Sequence, residues 1–142
     1  MARKLVTKLS NRQCFTLTEI DTLKTASEKL QKHNVGVMPV LSEQDKSVIG
    51  IISERDLARY ICRNEFKSDL PVTKIMTKNI ISCDLNTSVT QLMEKISSHK
   101  IRHILIIEEK KLLGIVSIGD VVNHIIEQYK DENRHLRDFI NQ

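Results

Sequence analysis

Residues 6–9, Val-Thr-Lys-Leu, recur at 72–75 as Val-Thr-Lys-Ile, and most of the chain runs in two parallel copies. His33 is matched by His99 and Val35 by Ile101, all at a constant shift of 66. Further on the shift becomes 64, and Gly50-Ile51-Ile52-Ser53-Glu54-Arg55-Asp56 lies over Gly114-Ile115-Val116-Ser117-Ile118-Gly119-Asp120. The two-residue difference falls in the polar stretch 43–47, opposite 109–111, where a hairpin loop tolerates a change of length. A repeated unit this small cannot close a core alone, so the two copies must fold against each other.

Each copy reads the same way. A short extended piece (15–17; 80–83) precedes a helix with Leu23, Ala26 and Leu30 on one face, or Val89, Leu92, Met93 and Ile96 in the second copy. Asp21 and Thr22, like Thr87 and Ser88, suit the starts of these helices. Two β-branched strands follow (37–41 with 48–52; 104–107 with 112–116), and a second helix begins after Ser53 and after Ser117. With aromatics at 4%, the core must be made of Ile, Leu and Val. The expected fold is therefore α+β, two βαββα units packed about a pseudo-two-fold axis. The divisions are 5–66 for the first repeat, 67–79 for the linker and start of the second, 80–128 for the rest of it, and 129–142 for a C-terminal helical extension. Pro71 marks the linker, since it biases the residue before it against helix. From Asp120 to Asn141 nothing stops a helix, and Val122, Ile125, Tyr129, Leu136 and Phe139 form a short seam, interrupted at Glu132, that suits docking on a second chain.

Several classes of function find no support. Five histidines are present, but no nucleophile–base–acid set, Walker pattern, G-x-G-x-x-G or HExxH accompanies them, so no catalytic residue and no metal site is expected. Cys14, Cys62 and Cys83 show no CxxC pairing and read as unpaired thiols of a reducing compartment. No apolar run approaches ~18 residues, so no membrane span is expected, and the chain reads as cytoplasmic. The net charge of +4, partly in Arg3, Lys4, Lys8 and Arg12, is too mild and too poor in aromatic company to indicate nucleic-acid binding.

The two Gly-Ile-Ile/Val-Ser motifs, Val37-Met38-Pro39-Val40, Pro71-Val72-Thr73-Lys74-Ile75-Met76-Thr77 and Lys100-Ile101-Arg102-His103-Ile104 resemble the tandem CBS (cystathionine-β-synthase domain) pair, or Bateman module. The likeness runs from about residue 5 to 128, and the closing helix is similar to that of small stand-alone bacterial members. The resemblance implies a regulatory module without catalysis that binds AMP, ADP, ATP, NAD(H) or S-adenosylmethionine, pairs into a homodimer and signals to an effector protein. Its alternative is a structural homodimerisation module whose ligand sites are vestigial.

The same resemblance names candidate ligand residues. Ser53 and Asp56, and Ser117 and Asp120, open helices whose free N–H groups suit an anion or ribose oxygen, and the matching Asp in relatives holds the ribose. The same spacing is also a capping box that needs no ligand. Arg102 and His103 match a basic pair that reaches ligand phosphates in relatives, whereas their first-copy counterparts Gly36 and Val37 carry no charge. The two clefts are therefore expected to be unequal, with the competent one in the second copy beside Asp120, and with Arg55 in partial compensation in the first. Ile81 and Cys83, with Ser82, Thr16 and Leu17, occupy the stretch that flanks adenine in relatives.

Overall fold

A computed structural model of the chain describes residues 4–63 and 65–141; Arg3 of the basic stretch lies outside them. The element order is α1 (Leu5–Leu9), β1 (Leu17–Thr18), α2 (Leu23–His33), β2 (Val37–Leu41), β3 (Val48–Ser53), α3 (Glu54–Arg63), β4 (Ser82–Cys83), α4 (Val89–His99), β5 (His103–Glu108), β6 (Lys111–Ser117) and α5 (Ile118–Ile140). Two three-stranded sheets result, ordered β1-β2-β3 and β4-β5-β6, each with a parallel first pair and an antiparallel second pair. The expected α+β architecture of two related βαββα units is present, with its long final helix.

Local chemistry sets the boundaries. Thr22 caps α2 by accepting from the Thr25 N–H, and Ser88 and Gln91 form a capping box on α4. Asn34 and Lys100 close these two helices at equivalent positions with φ of 52° and 53°, a left-handed stop that Asn tolerates better than Lys. The second hairpin is tighter than expected: Glu108 pairs with Lys111, leaving only Glu109 and Lys110 in the turn, both at positive φ.

The first strand of each copy is shorter than expected, with only two paired residues. In the second copy the Leu105 N–H also donates to the Ile81 carbonyl at 3.2 Å. Pro39 stands at the Leu105 position of the first copy and has no N–H, so the equivalent bond to Phe15 cannot form.

The cores are assembled by exchange. Leu5, Val6 and Leu9 of α1, at the start of the first repeat, are buried with Cys83, Leu92, Ile96, Ile104, Ile106, Val116 and Val121 of the second. Val72, in one turn of 3-10 helix over Val72–Lys74, is buried with Leu17, Leu23, Ala26, Leu30, Met38, Val40 and Ile52 of the first. Backbone bonds fasten the latter crossing, the Thr77 N–H donating to Ile51 O at 2.8 Å and the Ile51 N–H to Thr77 O at 2.9 Å. The α1 crossing depends on Gly114, where an added Cβ would stand 3.2 Å from the Leu9 carbonyl oxygen. If α1 completes the second core, Val6→Ala should lower unfolding free energy by about 2 kcal/mol. The exposed neighbour change Lys8→Ala should stay within about 0.5 kcal/mol. Urea denaturation of the two variants checks the difference, and equal midpoints would refute it.

Candidate functional site

Two cavities of ligand size lie where the repeats meet, of about 390 Å³ and 540 Å³. Gly36, Val37 and His103 border both. Val37 and His103 are equivalent positions of the two copies, as expected for a pair of clefts flanking a pseudo-two-fold axis.

The first cavity is opened by Ser53 and Asp56 where β3 passes into α3. Its far wall comes from the other repeat: Thr77, Asn79, Ile80 and Ile81 ahead of β4, and Lys100, Arg102 and His103 at the entry to β5. The second cavity repeats the plan with Ser117 and Asp120 on one side and Arg12, Gln13, Cys14 and Phe15 on the other. Phe15 is held by a parallel stack on His33, with ring centroids 3.6 Å apart.

Both Ser-x-x-Asp motifs are formed capping boxes. Ser53 and Ser117 each accept from the Asp N–H at 3.1 Å, and each donates its own N–H to the Asp Oδ2 at 2.9 Å. The box uses one carboxylate oxygen and leaves the other to be disposed of elsewhere. On Asp56, Oδ1 accepts nothing from the described residues. On Asp120, Arg12 takes both oxygens, Nη1 donating to Oδ1 and Nη2 to Oδ2, each at 3.0 Å, while Nη2 also reaches the Ile115 carbonyl at 2.8 Å. Burial pushes the Asp120 carboxyl up, but the bonds from Arg12 and Ser117 outweigh it and hold the group below the usual carboxylate range.

Charge follows the same division. Arg55, Arg59, Lys100 and Arg102 border the first cavity against Glu54 and Asp56, an excess of two positive charges with His103 neutral. In the second, Arg12 and Asp120 cancel. The positive charge expected beside Asp120 in the second copy therefore lies around the first cavity instead. Arg102, although it belongs to the second repeat, faces Ser53 and Asp56 and meets Arg55 there, because the strand end that carries it is turned toward the other repeat.

The adenine-flanking stretch needs a second correction. Cys83 is buried in the second core, outside both cavities, where burial pushes its thiol up to about 11. Leu17, its counterpart, is buried in the first core. Two places earlier, Ile81 and Phe15 do border the cavities, since they precede the point at which the chain joins the sheet at β4 and β1. The family pattern does not single out Arg59, although it lies one helical turn beyond Arg55, a spacing that puts both on one face. Arg12 reads in the sequence only as part of a solvated basic stretch, and nothing local links it to a carboxylate 108 positions away.

His103 is pushed below its ordinary value, chiefly by burial and further by Arg102, against the opposing pull of Asp120. It is thus mostly neutral at pH 7 and adds no full charge to either cavity. Because the folded value lies below the unfolded one near 6.5, the unfolded chain takes up a proton first as pH falls, and stability drops below about pH 6.5. The opposing Asp120 contribution is lost only below about pH 4. His103→Gln should therefore lose less thermal stability than wild type between pH 7.5 and 5.5, as read by circular dichroism melts. An equal loss would refute the assignment.

The CBS domain family matches the chain twice, over residues 6–63 and 72–127. A mitochondrial CBS domain-containing protein of Arabidopsis thaliana, CBSX3, is 33% identical over 127 residues, which are 87% of this chain and 62% of that protein. The chain thus spans less than two thirds of that relative. The crystal structure of the CBS-domain containing protein ATU1752 from Agrobacterium tumefaciens superimposes with a TM-score of 0.76 at 32% identity, covering 84% of this chain and 94% of that one. The CBS domain protein PAE2072 from Pyrobaculum aerophilum, in complex with AMP, gives 0.75 at 26% identity over 81% of this chain and 88% of that one. With two matches in register and a fold that agrees, the chain belongs to the CBS domain family as a tandem pair.

Proposed function

We propose that the chain is a regulatory module that binds an adenosine ligand in the Ser53–Asp56 cavity and catalyses nothing. The observation that carries this reading is the unused Oδ1 of Asp56, set at a helix start under an excess of positive charge. A carboxylate with one oxygen in a capping box keeps the other for the ribose hydroxyls, which are donors. Arg55, Arg59, Lys100 and Arg102 stand ready for phosphates, Arg offering a planar fork and Lys a point charge. Ile80 and Ile81 provide an apolar flank for the base. The AMP carried by PAE2072 supports the ligand class. Among AMP, ADP, ATP, NAD(H) and S-adenosylmethionine, the charge favours the phosphate-bearing compounds.

Ligand at ~100 times its dissociation constant adds about 2.7 kcal/mol, a shift of several degrees in thermal midpoint for a chain of this size. The shift should survive in Asp120→Ala and vanish in Asp56→Ala. No shift with any of these compounds would leave both Ser-x-x-Asp motifs as helix caps and make homodimerisation the function.

The homodimer is proposed on α5, which runs for 23 residues but buries only Val121. Tyr129, Leu136 and Phe139 are 66%, 59% and 76% exposed, in line with the exposed Val122, Ile125 and Ile126. A second copy is the occupant that covers such a stripe by symmetry, and an effector protein would then read the paired surface. Three free cysteines among the described residues, one of them exposed, suit a reducing compartment such as the cytoplasm. No helix among the described residues is long and apolar enough to cross a membrane. Deleting residues 130–142 should shift the sedimentation coefficient toward that of a monomer, and an unchanged profile would rule the seam out.

A further inference from the structure

Arg12 enters the second cavity as a ligand would. It is 50% exposed, yet its guanidinium lies flat on the carboxylate of Asp120, 18% exposed, as a two-bond fork, with a third bond to the Ile115 carbonyl at 2.8 Å. Three donors thus sit on Asp120, two from Arg12 and one from the Ser117 N–H, leaving no pair of positions for a vicinal diol. The reach of Arg12 is built in, because α1 is seated in the second core and its end passes close to Gly114, where an added Cβ would stand 3.2 Å from the Leu9 carbonyl oxygen. The equivalent of Arg12 in the second copy is Lys78, which forms no ion pair with Asp56.

We propose that Arg12 determines how many adenosine ligands the chain takes up: it occupies the ribose position of the second cavity, and a ligand binds there only by displacing it. The inference rests on the proposed function for its ligand class. The two cavities have the same plan and both have ligand size, and at the carboxylate that opens each of them the difference is this one side chain. A site open only in the minority of molecules whose Arg12 has swung away shows an apparent affinity reduced by that fraction. For a two-bond pair half open to solvent, the reduction is about tenfold.

Isothermal titration calorimetry with AMP, ATP and S-adenosylmethionine in turn tests this on the full chain. Wild type should bind one ligand per chain at the tight site and lose it in Asp56→Ala. Arg12→Ala, and Arg12→Gln as a bulkier replacement, should bind two per chain, the second about tenfold tighter than any second phase in wild type. The double variant Arg12→Ala, Asp56→Ala should keep one, abolished by Asp120→Ala. Two sites of equal affinity in wild type would overturn the proposal, as would a single Asp56-dependent site in both Arg12 variants, which leaves the proposed function standing. Binding seen only after Arg12 is replaced, and lost with Asp120→Ala, would uphold Arg12 as the occupant and overturn the first-cavity reading. Silence in every variant would sink both.

Discussion

Each half of this molecule has a sheet of only three strands, one of them two residues long, and two helices to cover it. That leaves part of each core open, and the missing piece comes from the other half: α1 closes the second core, and the segment around Val72 closes the first. The exchange is what makes the two repeats one body. It also carries backbone from each repeat past the Ser-x-x-Asp turn of the other, so that a cavity with two-repeat walls forms at each place. The clefts are thus a by-product of how the cores are completed.

Within that shared plan, small differences in sequence have large effects. Two helix starts carry the same capping box with the same bond lengths, yet one carboxylate retains an unused oxygen and the other is covered by a guanidinium. Pro39 removes a backbone donor that Leu105 supplies in the second copy, and Gly36 replaces Arg102. The result is a basic first cavity and a neutral second one. Duplication provides two frames, and substitution at a few positions gives them separate chemistry.

The long helix α5 stands apart from this economy. Its first turns help close the second core through Val121, while the rest leaves an apolar stripe in contact with water. The same helix thus opens at Ser117 and Asp120 beside the second cavity and ends in an exposed apolar stripe.

What the sequence determined by itself was local or periodic. Helix starts at Thr22, Ser88 and Ser117, the 3.6-residue rhythm of Leu23, Ala26 and Leu30, and the repeat register all follow from chemistry within a turn or two of chain. The inequality of the clefts was also legible, because Gly36 and Arg102 differ in charge. Which cleft would be the basic one was decided only by the tertiary structure. Arg102 faces Asp56 rather than Asp120 through the docking of one repeat on the other, and Arg12 meets Asp120 across 108 positions because α1 crosses to the second core. Cys83 left the site for the core for the same reason, since which end of a short strand faces a cavity depends on what packs beneath it. Charge and propensity are written residue by residue, but the partner of a long side chain is set by the packing of segments far apart in the chain.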